Sequence, residues 1–479
     1  KRDYRFFKNT QWNKENSMLI LNDVQSKLNK SRMVEECCPS DVDEISEKII
    51  NAQQKRFSLC PAGSLHSMGG QQFLEGGVSL SSKNLKKIGP LNEDSSSVWL
   101  QSGVMWTELV PWLQSVQKTS PTGLSIIQKQ TGADKLTLGG AIASNIHGRG
   151  LNRRPIIEDI KSFYLTTALG ERILCSRSQN TELFGLVIGG YGLFGFVDSI
   201  ELSLIERKVL VRHVQELSVS EVMSAFQDCV DSGAIYGDFQ YMTDETSPDF
   251  LERGVMSVYS QSKNPGEIQE NQIGLSNEDW MKLYVLAHTD KKEAYKAYVD
   301  HYLQTNGQLY WSDDHQFSPY LPEAGTQLVK AMGWTNYVSL MITELYVPRH
   351  NFEPFMKSAK VSLINSGANT VYGTVRLIEA ENESELRWAR ENYACVIFNL
   401  LVEHTAEGIN KAIIQFRSLI DCALNQSGSY YLTYHRWPTK NQVEEAYPNF
   451  RKFLALKEHY DKNAIFDSDW HRHYVEMFK

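Results

Sequence analysis

The chain has 479 residues, 42% of them apolar and 22% charged, with a formal net charge of −8. That length exceeds one ordinary hydrophobic core and implies two or three domains, and mild acidity excludes an electrostatic drive toward nucleic acid or an anionic membrane. The longest apolar run, near 395–402, falls far short of the ~20 residues a membrane span requires, and the seven cysteines show neither C-x-x-C spacing nor a disulfide framework.

In chain order, the first half reads as strands alternating with helices. Ser40, with Asp43 three residues later, marks a helix start for 42–52. Strands follow at 57–61, 98–101, 162–167 and 195–202, with a helix at 107–116. From about 208 the texture changes: strands at 209–215, 338–347, 371–377 and 395–402 mix with amphipathic helices at 292–304, 352–364 and 407–425. This reads as an antiparallel sheet with helices on one side, an α+β substrate domain. The last stretch holds a strand at 430–434, a helix at 449–460 and an aromatic, basic tail. The division is thus 1–206, 207–430 and a C-terminal segment 431–479. The chain begins at Lys1 rather than Met, so the compartment stays open, the cytoplasm slightly favoured.

Three glycine-rich segments stand out. Pro61-Ala62-Gly63-Ser64-Leu65-His66-Ser67-Met68-Gly69-Gly70-Gln71 follows a strand directly. Small residues there let backbone N–H groups approach an anion closely, yet the spacing is neither a Rossmann fingerprint nor a P-loop. The second segment is Leu138-Gly139-Gly140-Ala141-Ile142-Ala143-Ser144-Asn145-Ile146-His147-Gly148, in which Asn145 and His147 share one side if the segment is extended. The third, Gly189-Gly190-Tyr191-Gly192-Leu193-Phe194-Gly195-Phe196-Val197, is too glycine-dense for a stable helix or strand, so close packing or a ligand must offset that cost.

In this order the three segments resemble the FAD-binding domain of the vanillyl-alcohol oxidase / p-cresol methylhydroxylase family, over about residues 20–206. The aldonolactone and alditol oxidases and the decaprenylphosphoryl-ribose oxidase look most similar. The resemblance implies a two-lobed α+β fold with FAD between the lobes. It implies cofactor contacts from Ala62, Gly63, Ser64, Leu65, His66, Ser67, Met68 and Gln71; from Thr131, Gly132, Leu138, Gly139, Gly140, Ala143, Asn145, His147 and Gly148; and from Gly190, Gly192, Gly195 and Val197. His66 stands where family members bond the flavin covalently, a feature the decaprenylphosphoryl-ribose oxidase lacks. No metal site is implied.

In such a site the cofactor carries the hard chemistry and the protein positions it. Removing hydride from a carbinol carbon calls for a base or oriented hydrogen bond nearby. Arg376 matches the arginine of a family Glu-x-Arg, its acid position being Thr374 here. The relatives' His-Trp-x-Lys segment is only partly matched by His435-Arg436-Trp437, with Lys440 the nearest lysine. His435, Arg376 and Lys440 are therefore the catalytic candidates, with Glu344 a further in-strand acid and Asp469 or Arg472 possible flavin contacts. Trp311, Tyr320, Trp334, Tyr346 and Trp437 offer stacking surfaces, packing being their default role. The expected function is FAD-dependent oxidation of a small hydroxylated molecule (polyol, sugar or aldonolactone), with oxygen or a quinone-like carrier as acceptor. The alternatives are the oxidase half of a lipid-linked sugar epimerase system and a non-catalytic flavin-binding protein.

Overall fold

A computed structural model describes residues 18–118, 120, 122–264, 268–318 and 324–479; Tyr320 lies outside them. The fold is α+β, as expected, and rests on three main sheets. Strands Glu35–Cys37, Leu59–Ala62 and Val78–Ser81 form a small parallel sheet with Val78–Ser81 in the centre. An antiparallel sheet runs in the order Arg172–Ser176, Ile160–Thr166, Phe196–Glu206, Ser97–Gln101, Ile88–Asn92, with Leu124–Ile126 pairing the far end of Phe196–Glu206. The third is an eight-stranded antiparallel sheet. Its order is Leu309–Trp311, Val209–Ser218, Arg253–Gln261, Ala234–Tyr241, Thr370–Ile378, Tyr393–Glu403, Val338–Pro348, Ser429–Tyr430. Among the described residues no helix is long and apolar enough to cross a membrane.

Local chemistry accounts for the first helix, Val42–Lys55. Ile45, Ile49 and Ala52 make a buried stripe at helical spacing, Asp43 and Glu44 sit in the first turn, and Arg56 closes the helix in the left-handed region at φ 58°. The cap is Asp41, whose carboxylate accepts from the Glu44 amide at 3.0 Å, rather than Ser40.

The second glycine segment is helical, not extended. Leu138–Ser144 is a short helix capped by Thr137, whose hydroxyl accepts from the Gly140 amide at 3.1 Å, and Asn145 ends it at φ 47°. Leu138, Ala141 and Ile142 are buried, so the small residues let the helix sit close to its neighbours. The expected strand 430–434 also shortens to Ser429–Tyr430, because the chain turns at 432–434 after a last bond from the Tyr431 amide to Glu344 O at 3.0 Å. The tail packs against the strand Leu59–Ala62. The Leu59 amide donates to Ile465 O at 2.6 Å and Asp467 N donates to Leu59 O at 3.0 Å, extending the parallel sheet. Asp461 serves this return, accepting from the Ile465 and Phe466 amides at 2.9 and 2.8 Å.

The three glycine segments lock together here. The Thr137 amide donates to Ser64 Oγ at 3.2 Å, and the Gly189 and Tyr191 amides donate to Ile142 O and Ala143 O at 2.9 and 3.0 Å. At Gly190 a Cβ would collide with the Leu186 carbonyl. Gly190→Ala should therefore cost about 1–3 kcal/mol of stability, the usual penalty of overpacking. The urea midpoint measures it, with Gly274→Ala, which meets nothing within 4 Å, as the unaffected control.

Candidate functional site

A cavity of about 100 Å³, continuous with solvent, lies where the three segments meet. Of the predicted cofactor residues, Ala62, Gly63, Ser64, Leu65, His66, Ser67, Gln71, Gly139, Gly140, Ala143, Gly192, Gly195 and Val197 line it. Leu65 adopts φ 62°, a left-handed conformation costly for leucine, which helps fold the turn into a cup. Among the described residues the amides of 63–67 donate to no protein acceptor, while the next amide, Met68 N, donates to Thr433 O at 3.1 Å. Successive unpaired N–H groups around a concave wall form an anion nest. Two buried oxygens on the same wall, Ser102 Oγ and Gln72 Oε1, also have no partner. These residues fit an FAD diphosphate and ribityl chain.

The other predicted cofactor residues play different parts. Met68 and Leu138 belong to the core. Asn145 turns the backbone and accepts from the Ile157 amide at 3.1 Å. Gly148 makes room for the Lys129 carbonyl, and Gly190 packs on its own preceding turn. Thr131 accepts from Arg376, and the Gly132 amide donates to Ser318 Oγ at 3.1 Å.

His66 sits in the cavity wall with Nδ1 3.2 Å from the Gln25 side-chain amide. Burial disfavours its charged form and brings its pKa to about 4, so the ring is neutral at pH 7.

Beyond the cavity a buried polar cluster gathers around Glu344. His147 Nδ1–H donates to Gly148 O at 3.1 Å, and its Nε2 faces Glu344 Oε1. Tyr346 and Cys395 donate to the same oxygen at 2.7 and 3.0 Å, and Tyr434 donates to Oε2 at 3.1 Å. Burial alone would raise the Glu344 carboxyl, but the His147 charge and these hydrogen bonds outweigh it and hold the group at about 2. With Nδ1–H committed to a carbonyl, a proton must lie between Nε2 and the carboxylate, since two lone pairs would otherwise face each other. His147, Glu344 and Cys395 also form the one group of three potential metal ligands found among the described residues. Burial pushes the Cys395 thiol well up, which disfavours a thiolate ligand, and the contacts are accounted for by S–H donation to the carboxylate.

Two short links join this cluster to the cavity. Ser67, on the cavity wall, lies 3.4 Å from Thr433 Oγ1, one residue before Tyr434. Gln71 reinforces that link by donating to Leu432 O and Thr433 O at 3.1 and 3.3 Å. Ser144, also on the wall, accepts from Tyr431 OH at 2.6 Å, three residues before His147.

Of the catalytic candidates, only Arg376 is near. It is buried on the strand Thr370–Ile378, directly across from Cys395. His435 points elsewhere. It packs between Phe416 at 4.8 Å and Trp437 at 5.4 Å, and burial lowers it to about 3. Lys440 begins the helix Lys440–Ala446 and lies over the Phe478 ring at 5.6 Å. Asp469 accepts from the Glu75 amide and Ser31, and Arg472 pairs with Asp467, all outside the cavity wall. Sequence reasoning missed Tyr434, the immediate neighbour of His435. Residues 432–434 form a turn instead of the expected strand, so no strand alternation could tell which of the two side chains faces Glu344.

The fold and the cavity define a flavin-binding protein. Residues 36–176 match the FAD binding domain family, and the chain carries a domain of this p-cresol methylhydroxylase type. It is 27% identical over 170 residues to cytokinin dehydrogenase 2 of Arabidopsis thaliana (35% of this chain, 32% of that one). Over 166 residues it is 30% identical to an uncharacterized oxidoreductase, ORF5 in the fasciation locus, of Rhodococcoides fascians (35% and 36%). Over 184 residues it is 26% identical to mitochondrial L-galactono-1,4-lactone dehydrogenase of Arabidopsis thaliana (38% and 29%). The matches thus span about a third of each relative's length.

The depressed Glu344 pKa gives a stability contribution that is complete above its unfolded value near 4.5 and is lost as pH falls toward 2. Glu344→Gln should flatten the acid limb of the stability curve in that window. Glu344→Ala, which strands the His147 proton in a buried site, should cost about 3–5 kcal/mol. Urea unfolding at pH 3 and pH 7 measures both.

Proposed function

We propose that the protein is an FAD-dependent oxidoreductase that oxidises a CH–OH group of a small hydroxylated molecule, with FAD bonded through His66. The observation that carries this reading is the buried proton-holding cluster His147–Glu344–Tyr434, set against the wall of a cavity built for a dinucleotide. Bound FAD would supply the hydride acceptor. The unpaired amides of 63–67 would hold its diphosphate, and the neutral His66 ring is the nucleophilic form that a covalent bond requires.

The chain's own part in the chemistry is proton handling. A carbinol loses a proton as well as a hydride. The His147–Glu344 pair shares one proton in a site closed to bulk water, and the Tyr434 hydroxyl lies on the carboxylate's other oxygen. A substrate hydroxyl beside Tyr434 would be oriented by that phenol, which the ionised Glu344 holds in place. The lactone dehydrogenase relative supports a CH–OH donor; oxygen or a quinone-like carrier would complete the turnover.

Anaerobic addition of polyols, sugars and aldonolactones, and of hydroxy acids and sugar phosphates, to the yellow protein should bleach the flavin with the true substrate class, and no bleaching by any of them removes the proposal. Tyr434→Phe should keep its flavin content while slowing bleaching by about 10²–10⁴, the usual worth of a positioned proton-transfer group. Acid-precipitated wild type should stay yellow, and His66→Ala should release its flavin to the supernatant. A colourless wild-type pellet would sink the covalent link and leave FAD binding standing.

A further inference from the structure

The sheet face that carries Glu344 continues past Cys395 onto a set of cations. Cys395 lies opposite Tyr346 on one neighbouring strand and opposite Arg376 on the other. Arg376 is 6% exposed; one of its Nη groups donates to Thr131, and its Nε has no partner. No carboxylate pairs with it among the described residues. Glu344 is not free to do so, both its oxygens being taken by His147, Tyr346, Cys395 and Tyr434.

The surroundings add positive charge. Lys129, fully buried two residues before Thr131, is satisfied by Asp134 at 2.5 Å and by the Gln130 and Gln316 carbonyls at 2.7 and 3.1 Å. Arg149, two residues after His147, reaches Asp238 at 3.3 Å, and its Nε too has no partner. Val375 pairs with Phe239, which puts Asp238 across from Arg376 in the register, while among the described residues the ion pair of its carboxylate is with Arg149. Among the described residues Arg212 donates to the Tyr259 and Thr305 hydroxyls, lies over the Tyr310 ring at 4.3 Å and pairs with no carboxylate. Near it His315, with both ring nitrogens unpartnered, stacks on Tyr259 at 4.4 Å and receives Arg149 on its carbonyl at 3.4 Å. Four cations thus face two acids, Asp134 and Asp238.

A buried guanidinium without a counter-charge is strongly unfavourable, and a buried polar group without a partner calls for a specific cause. The missing charge would be met by a ligand that arrives with it. Arginine's planar fork suits the oxygens of a carboxylate or phosphate. We propose that Arg376 and Arg149 form an oxyanion subsite beside the His147–Glu344–Tyr434 cluster, so that the substrate is a hydroxylated compound bearing a carboxylate or phosphate rather than a neutral polyol or lactone. This rests on the oxidoreductase reading above.

The test uses the flavin-loaded protein, titrated at constant ionic strength with inorganic phosphate, with acetate and with chloride, reading melting temperature and flavin absorbance. A saturable rise in melting temperature is expected with phosphate or acetate and not with chloride; whichever of the two acts at lower concentration identifies the headgroup. Arg376→Met should weaken the oxyanion effect at least tenfold, Arg376→Lys should keep part of it, and Arg451→Met, a surface change beside Glu444, should match wild type. Arg149→Met serves the same purpose should Arg376→Met fail to fold. Equal responses to oxyanion and chloride, or undiminished oxyanion binding in both methionine variants, would overturn the subsite. Flavin content is measured on the same samples, so a flavin-free protein would defeat the oxidoreductase reading while the anion titration still reports on the arginines.

Discussion

Unpaired backbone amides in a concave wall need an acceptor, and the amides of 63–67 have none from the protein. Much of the first lobe's construction serves to hold them. The strand Leu59–Ala62 ends at the cup and is pinned on its free side by the returning tail at 465–467. The helix Leu138–Ser144 presses against the cup through Thr137 and Ser64, and the 189–195 segment fills the space behind that helix. At Gly63 a Cβ would collide with the Thr137 side chain and at Gly195 with the Thr166 carbonyl, which is why glycine stands at these approaches.

The second lobe solves a different problem, keeping charge inside a low-dielectric interior. Glu344 stays ionised because four donors converge on it, and its partner His147 comes from the first lobe, just past the helix that shapes the cavity. The pair is thus assembled only by long-range packing of residues 147 and 344. Next to it Arg376 and Arg212 on the eight-stranded sheet, with Lys129 and Arg149 from the segments packed against it, face Asp134 and Asp238. A proton-holding pair and a cationic patch on one sheet face suit a ligand with a hydroxyl at one end and an anion near it.

Part of the site was legible in the chain. The His66 turn and the Gly139-Gly140 and Gly192/Gly195 pairs line the cavity because close backbone approach is a local property that small residues announce. Arg376 was legible as an odd charge on an apolar strand. His147 was noticed, though as a cofactor contact and not as the partner of a carboxylate 197 residues away. Tyr434 was passed over for His435, since both sit in a short segment that leaves the sheet after Tyr430, and only packing against Phe416 and Trp437 decides which way each points.

By itself the sequence determined the α+β class, most helix and strand positions, and the small-residue segments of an FAD binding domain, because periodicity and glycine placement act over a few residues. Tertiary structure alone decided which polar side chains meet. The joining of His147 to Glu344, of Tyr434 to the same carboxylate, and, among the described residues, of Arg376 to no carboxylate depends on strand register across the large sheet and on long-range packing. Those are long-range geometric facts that no local pattern encodes.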